Sequence, residues 1–120
     1  MDLIGKQILV VEDEALVALD LKVTLEGAGM IVIGPVARLA DALLLAEKSL
    51  PDAAVLDVRL VVGTTLPLAA WLATQGVPIL FQTSDPSLID AAHATVPVLR
   101  KPFRHEQLIA ALATLLGSER

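Results

Sequence analysis

Five short apolar runs recur along the chain, and their spacing constrains the fold more than any other feature of the sequence. The runs are continuous rather than alternating, and they cover Gln7–Val11, Met30–Ile33, Ala53–Leu56, Pro78–Gln82 and Val96–Leu99. Continuous runs of this length are typical of parallel strands that are buried on both faces. Because helix-length segments separate the runs, the sequence predicts βαβ units and a parallel sheet with helices on both sides.

The segments between the runs carry helical patterns. Leu39–Leu50 places its apolar residues on one face, and Glu106–Leu116 shows the clearest amphipathic spacing in the chain. A third helix is indicated by Pro67, which fits a first helical turn, and by Gly76, which fits a helix end. These patterns predict helices after the second, third and fifth runs.

The segment Leu19–Glu26 supports two interpretations. It alternates apolar and polar residues, which favours a strand. It also continues without a break from Glu14 and is followed by Gly27 and Gly29, which are typical helix stops. A hairpin back to the first run would need a turn where the chain has none, so we predict a helix.

Composition limits the function. The 120 residues suffice for a single domain, predicted over residues 1–120, with a buried core. Cysteine is absent, which excludes disulfide scaffolds, Cys-ligated metal centres and thiol catalysis. The formal net charge of −5 and an aromatic content of 2% argue against a nucleic-acid partner.

The mean hydropathy of +0.71 raises the question of a membrane span, because Leu60–Ser84 contains no charged residue. Helix-breaking residues interrupt this segment at Gly63, Pro67, Gly76 and Pro78. We interpret it as a loop, a buried helix and a buried strand. The N-terminus has an early acid and no apolar signal core, so we predict a cytoplasmic protein with no membrane partner.

Charged and hydroxyl side chains follow the apolar runs. Glu12 and Asp13 follow the first run, Asp57 the third, Thr83 the fourth and Lys101 the fifth. In an open parallel sheet these strand ends meet at one edge, where ligands bind. Several carboxylates together suit Mg²⁺, and a carboxylate beside such an ion can attack a phosphoryl group. A hydroxyl and an ammonium would then hold the transferring oxygens.

Four segments in order along the chain carry these residues. They read I-L-V-V-E-D-E at 8–14, A-V-L-D-V-R-L at 54–60, I-L-F-Q-T-S at 79–84 and V-L-R-K-P-F at 98–103. Together they resemble the receiver domains of two-component response regulators. The resemblance implies an α/β, flavodoxin-like (βα)5 three-layer sandwich with a five-stranded parallel sheet in the order 2-1-3-4-5.

A narrower resemblance rests on I-G-P-V-A at 33–37 and L-D-V-R-L at 56–60. These phrases are similar to small stand-alone receivers of alphaproteobacteria, which are often associated with histidine kinases of the HWE type. One such subgroup has F-A-T-G-Y where this chain has F-Q-T-S-D.

The family resemblance implies a role for each site residue. Asp57 would be the phosphoacceptor. The protein ligands of Mg²⁺ would be Glu12 (through water), Asp13, Asp57 and the backbone carbonyl of Arg59. The phosphoryl oxygens would be bound by Thr83 and Lys101, and Lys101 precedes Pro102, which is a cis proline in that family.

The chain departs from the family at two places. Val98 occupies the position three before Lys101, where receivers usually carry an aromatic switch residue. This chain therefore cannot report phosphorylation through an aromatic ring at this position in the ordinary way. Only 17 residues separate Thr83 from Lys101. This connection contains Pro86 and is predicted to hold a short or frayed helix, the most mobile element of the protein.

Three residues are predicted to rim the site and to modulate the lifetime of the phosphate. Arg59 lies two after Asp57 and Asp85 lies two after Thr83, so their opposite charges could pair over the acyl phosphate. The alternative is a solvent-screened pair worth less than about 1 kcal/mol. Ser84 is small and is predicted to leave the path to the phosphate open.

Neither histidine is predicted to take part in the chemistry of the site. His93 and His105 lie far in sequence from the acids, and we predict both to be surface residues without a chemical role. Receivers that this chain resembles dock their kinase on the first helix, so the resemblance implies a partner surface at the exposed end of that helix, near Glu14, Val17 and Leu21.

The sequence thus predicts a response regulator rather than a dedicated enzyme. It would accept a phosphoryl group on Asp57, with Mg²⁺, from a histidine kinase or histidine phosphotransfer protein. It would then signal to an unidentified protein by contact, as a monomer or weak homodimer, or act as a phosphorelay intermediate or sink. The main alternative is an unphosphorylated pseudo-receiver that serves as an interaction module. An aspartyl phosphatase is disfavoured by Arg59, because such enzymes place a second acid there, and a flavin carrier by the shortage of aromatic residues.

Overall fold

The computed structural model describes residues 3–117, and within them five parallel strands form one sheet in the order β2-β1-β3-β4-β5. The strands are β1 (Gln7–Val11), β2 (Ile31–Val36), β3 (Ala53–Asp57), β4 (Ile79–Thr83) and β5 (Val98–Arg100). The helices are α1 (Ala15–Gly27), α2 (Leu39–Lys48), α3 (Leu66–Thr74) and α4 (His105–Gly117). The predicted flavodoxin-like fold and strand order are confirmed.

The sheet separates two aliphatic cores. Side chains of a strand point alternately to its two faces, so Leu9 packs with α2 and α3, whereas Val10 packs with α1 and α4. The strands β1, β3 and β4 are almost fully buried, which explains why they are continuous apolar runs. None of the helices within residues 3–117 is long and apolar enough to span a membrane.

The ambiguous segment after β1 is helical, as predicted. Its alternation is compatible with a helix because Ala18, Leu21 and Leu25 share one buried face, while Leu19 and Val23 are exposed. The prediction that Leu21 belongs to a partner surface is therefore wrong, because the helical period turns this side chain into the core.

Strand β2 extends past its predicted end at Ile33. It continues through a cis Gly34–Pro35 peptide to Val36, which pairs with Val11 after an irregularity in the register. Gly34 has φ +98°, and a Cβ atom there would lie 3.0 Å from the carbonyl oxygen of Val10. Only glycine fits this close approach without strain.

The connection between β4 and β5, residues 84–97, contains no α-helix. It holds two single 3₁₀ turns, Pro86–Leu88 and Ala91–His93, where a short or frayed helix was predicted. The prediction that His93 lies on the surface is wrong: it is buried, its ring edge packs on Phe81 with centroids 5.9 Å apart, and its Nδ1 contacts the Asp90 carboxylate. His105 is exposed and contacts Asp20 of α1.

Candidate functional site

The carboxyl ends of β1, β3, β4 and β5 bring the predicted site residues together in one cleft of about 560 Å³. Asp13, Asp57, Thr83 and Lys101 all line this cleft, and Glu12 lies buried beneath it. We call these five residues the acidic site. They meet because neighbouring parallel strands end at the same edge of the sheet.

Three carboxylates of the acidic site are close enough to share one cation. Oxygen atoms of Glu12, Asp13 and Asp57 lie within 4.8 Å of one another. Hard oxygen donors in this number are the ligands that Mg²⁺ takes in proteins, usually with waters and substrate phosphate completing the shell. The donor set therefore fits a magnesium ion.

Lys101 links the acids by ion pairs. Its Nζ donates to Glu12 Oε1 at 2.9 Å, to Glu14 Oε1 at 3.2 Å and to Asp57 Oδ2 at 3.4 Å. Its backbone N–H donates to the carbonyl oxygen of Thr83 at 2.9 Å, and it precedes a cis Lys101–Pro102 peptide. Burial by itself lowers the pKa of Lys101, but the ion pairs with Glu12 and Asp57 outweigh burial and raise it.

Glu12 accepts hydrogen bonds at both carboxylate oxygens. Oε1 accepts from Lys101 and, at 2.7 Å, from Nε2 of Gln82, whereas Oε2 accepts from the backbone N–H of Glu14 at 3.0 Å. Burial by itself raises the pKa of Glu12, but the hydrogen bonds from Gln82, Lys101 and Glu14 together bring it below its usual value. Glu12 is thus held as an anion although its side chain is buried.

Asp57 is also buried but has fewer donors. Its side chain accepts from Lys101 Nζ at 3.4 Å and also interacts with the carboxyl group of Glu12, while its backbone carbonyl accepts from the Thr65 hydroxyl at 2.7 Å. Burial, followed by repulsion from the Glu12 charge, raises the pKa of Asp57 to about 7. A shift of this size is common in functional carboxylates, where burial and a like charge act together.

Thr83 ends β4 with its hydroxyl at the cleft. The hydroxyl oxygen accepts from the backbone N–H of Asp85 at 3.0 Å, which leaves the hydroxyl proton free to be donated to a ligand. Thr83 is almost fully buried, so its position is set by the strand and by this one contact.

The residues predicted to modulate the site line the same cleft. Arg59, Ser84 and Asp85 all border it. Asp85, however, accepts hydrogen bonds from both the backbone N–H and the hydroxyl of Ser87, and these bonds, more than the charge of Arg59, lower its pKa. Arg59 pairs with Thr64 in an isolated antiparallel bridge that closes the loop after β3.

Val98, at the switch position, belongs to β5 and is about two-fifths exposed. It borders a separate groove of about 300 Å³ together with residues of the two 3₁₀ turns, including His93. The structure therefore places Val98 away from the cleft of the acidic site.

Sequence reasoning missed three contacts of the site. Gln82 is fully buried beside Glu12, Thr65 bonds the carbonyl of Asp57, and Glu14 pairs with Lys101. Gln82 offered a signal, because a glutamine inside an otherwise apolar strand needs a partner for its amide. Thr65 and Glu14 offered none, since each is an ordinary residue beside a helix N-terminus.

The family comparison identifies the fold and its relatives. Residues 8–113 match the response regulator receiver domain family. The structure of SdrG from Sphingomonas melonis Fr1 is 39% identical, with a TM-score of 0.83, and the match covers 97% of this chain and 99% of that chain. A response regulator receiver protein from Sinorhizobium medicae is 28% identical, with a TM-score of 0.86, over 97% of this chain and 98% of that chain.

Curated relatives are longer proteins. The phyllosphere-induced regulator PhyR of Methylorubrum extorquens is 31% identical over 115 residues, which are 92% of this chain and 43% of PhyR. The transcriptional regulatory protein PdtaR of Mycobacterium tuberculosis is 30% identical over 114 residues, which are 91% of this chain and 56% of PdtaR. The chain thus spans about half the length of these relatives.

Proposed function

Because the chain belongs to the response regulator receiver domain family, we propose that residues 1–120 act as one receiver domain that is phosphorylated on Asp57. The phosphoryl donor is a phosphohistidine of a histidine kinase or of a histidine phosphotransfer protein. The observation that carries this proposal is the juxtaposition of Asp57 with Lys101 and two further acids at the edge of the sheet.

The transfer requires one bond to form and one to break. A carboxylate oxygen of Asp57 attacks the phosphorus, and the bond from phosphorus to the donor imidazole nitrogen breaks. The electron pair of that bond returns to the nitrogen, which takes a proton from solvent as the neutral imidazole forms. Lys101 and the Thr83 hydroxyl are within the same cleft and can donate to the phosphoryl oxygens.

Mg²⁺ would be held by Glu12, Asp13, Asp57 and the backbone carbonyl of Arg59. The bound ion supplies positive charge that offsets the charge of the phosphoryl oxygens. Because burial raises the pKa of Asp57 to about 7, a cation that joins the site would favour its ionised form at neutral pH.

The phosphorylated domain would act on a protein partner. The outer face of α1 exposes Leu16, Leu19 and Val23 to solvent, and Leu16 borders a groove shared with Phe103 beside the acidic site. We propose this outer face, instead of Leu21, as the kinase-docking surface. Apolar residues on an exposed helix face are suited to helix packing against a partner.

The second candidate is a pseudo-receiver that binds partners without phosphorylation. Two observations favour it: Val98 stands in place of an aromatic switch residue, and the β4–β5 connection carries two 3₁₀ turns. The complete acidic site favours phosphorylation. Burying the acids together with Lys101 costs free energy of folding, and an interaction module has no need of such a site.

Incubation with acetyl phosphate and Mg²⁺, followed by intact-protein mass spectrometry, distinguishes the two. We expect the wild-type chain to gain the mass of one phosphoryl group and Asp57→Asn to gain none. Asp41→Asn, at an exposed carboxylate of α2, is the matched control and should be labelled as the wild type is. A wild type that is labelled neither by small donors nor by a phosphorylated histidine phosphotransfer protein would overturn the proposal.

A further inference from the structure

Gln82 is a buried polar residue in the interior of β4 whose side chain reaches the acidic site. We propose that Gln82 is a positioning residue: it fixes the carboxylate of Glu12 and thereby sets the affinity of the acidic site for Mg²⁺. The inference rests on the proposed function, because it assigns a role toward the same metal site. The contact joins Gln82 in β4 to Glu12, the residue that follows β1, and it passes over β3, which lies between these two strands.

The geometry of this contact requires two long side chains. In the sheet, β3 lies between β1 and β4, and neighbouring strands are about 4.8 Å apart. The backbones that carry Glu12 and Gln82 are thus about 10 Å apart in the hydrogen-bonding direction. Nε2 of Gln82 nevertheless lies 2.7 Å from Oε1 of Glu12, so the two side chains together span the width of β3.

Gln82 and Lys101 share one oxygen of Glu12, but they differ in what else they do. Lys101 also contacts Asp57 and is the group that would turn to the phosphoryl oxygens. Gln82 has no second side-chain hydrogen bond within the described residues, so it can keep Oε1 in place while Lys101 moves. Without Gln82, Oε1 of Glu12 would depend on Lys101 alone, and when Lys101 turns to a phosphoryl group the backbone N–H of Glu14 would be the remaining hydrogen bond to this carboxylate among the described residues.

One end of the Gln82 amide is bonded to Glu12 and the other end is unpaired within the described residues. Its Oε1 is buried and has no hydrogen-bond partner in the described part of the chain, residues 3–117. An unpaired buried carbonyl destabilises a fold, and an apolar side chain of similar length would remove that penalty. Gln82→Met removes this penalty but also removes a donor from the buried Glu12 carboxylate, so the two effects on stability oppose each other. A positioning role predicts that the variant binds Mg²⁺ more weakly, whereas a purely structural role predicts that its Mg²⁺ affinity is unchanged.

The experiment is a calorimetric Mg²⁺ titration of the unphosphorylated chain, together with its thermal unfolding midpoint. We expect Gln82→Met to weaken Mg²⁺ binding about tenfold, in the range seen when an outer partner of a metal ligand is lost, while the chain stays folded at the temperature of the titration. The Mg²⁺ concentration that gives half of the maximal rate of labelling by acetyl phosphate should rise in Gln82→Met. The labelling rate at saturating Mg²⁺ should stay within about twofold of the wild-type rate. Gln75→Met, at an exposed glutamine after α3, is the matched control and should change none of these quantities.

A double-mutant cycle with Glu12→Gln tests whether Gln82 acts through Glu12. In the Glu12→Gln background, Gln82→Met should cause no further loss of Mg²⁺ affinity, since the carboxylate it positions is gone. Unchanged Mg²⁺ affinity in Gln82→Met, or an equal loss in both backgrounds, would overturn the inference. If Gln82→Met does not fold, Gln82→Leu replaces it with the same expectations, and failure of both to fold would show that Gln82 is structural.

The two proposals fail in different ways. If the wild type binds Mg²⁺ but is not phosphorylated on Asp57, the proposed function fails while the titrations still report on Gln82. If Asp57 is phosphorylated and Gln82→Met titrates as the wild type does, only the inference on Gln82 fails.

Discussion

The acidic site and the β4–β5 connection, residues 84–97, are neighbours in space, but different kinds of contact hold them. In the acidic site, Lys101 bonds Glu12 across 89 positions of the chain, and Gln82 bonds the same residue across 70. In the connection, Asp85 bonds Ser87 and Asp90 contacts His93 three positions on. The first set exists only when the whole sheet has formed, whereas the second needs only a few consecutive residues.

This difference predicts how each region responds to perturbation. Long-range contacts between buried strands open only with the global unfolding of a domain, whereas regions held by local hydrogen bonds open separately. Removing one member of the acidic site should thus affect the whole molecule, and changes in the connection should stay local.

The largest effect is expected for Lys101→Met. Glu12 and Asp57 would remain buried without their ammonium partner, which costs about 2–4 kcal/mol of the free energy of unfolding. The phosphorylation rate should fall about 100-fold, because a charged donor to the phosphoryl oxygens is lost. Urea unfolding at pH 8 in EDTA and labelling by acetyl phosphate measure the two effects.

Lys48→Met, at an exposed lysine at the end of α2, is the matched control for Lys101→Met and should change neither quantity. A Lys101→Met variant that unfolds and reacts as the wild type does would show that the ion pairs of the acidic site are dispensable.

A smaller effect, of opposite sign, is expected for Asp57→Asn in the absence of metal. The folded protein binds a proton at Asp57 up to a pKa of about 7, whereas the unfolded chain loses that proton near pH 4. The stability contributed by this group is therefore present at acidic pH and is lost as the pH rises toward 7. Asparagine cannot ionise, so it should raise the free energy of unfolding by about 1–3 kcal/mol at pH 8 and by almost nothing at pH 4.

Urea unfolding in EDTA at the two pH values measures this dependence on Asp57. An equal effect of Asp57→Asn at both would mean that the ionisation of Asp57 does not destabilise the folded chain. Asp41→Asn, at an exposed carboxylate that pairs with Arg38, should change the free energy of unfolding by less than about 1 kcal/mol at pH 8.

Amide hydrogen exchange compares the connection directly with a helix. Amides of residues 88–95 should exchange at least about 100-fold faster than those of 106–116, because local turns open without global unfolding. Within the two 3₁₀ turns His93 is buried and Leu88 is half-buried against the core, whereas α4 buries Leu108, Leu112 and Leu116. Equal protection in the two segments would refute the idea that the connection is the most mobile element.

The smallest effect is expected at the rim of the cleft. Arg59→Ala should change the dephosphorylation rate by less than about fivefold, in keeping with a solvent-screened charge. Asp85→Ala should change it less than Arg59→Ala, since Asp85 is engaged mainly by Ser87. Ser87→Ala is the control that disturbs the same turn without removing a charge. If it reproduces the effect of Asp85→Ala, the turn rather than the charge of Asp85 matters to the phosphate.

The strand ends show what could be predicted from sequence and why. Continuous apolar runs predict the strands because both faces of a central parallel strand are buried. The end of each strand can therefore be located where the apolar run gives way to charged residues. Asp57 and Thr83 were found in this way at the ends of β3 and β4. The sequence did not predict that β2 extends through Gly34–Pro35, because this pair usually marks a turn. In the structure the strand continues through the pair beside β1.

Burial of single polar residues was the hardest feature to predict. His93 is polar and lies in a connection, yet its ring packs on Phe81, because the two short turns lay that part of the chain against β4. The prediction for Leu21 was wrong for a related reason. The rotation of α1 about its axis relative to the sheet decides which of its leucines are buried. Neither outcome follows from a local pattern.

The sequence by itself determined the class of fold, the order of the strands through its resemblance to receivers, and the residues that end each strand. These properties follow from local periodicity and from residue types that are read one segment at a time. Only the tertiary structure decided that Gln82 reaches Glu12 and that Lys101 lies among three acids. Those contacts depend on strand order, spacing and register together, because a hydrogen bond across an intervening strand forms only when all three are correct at once.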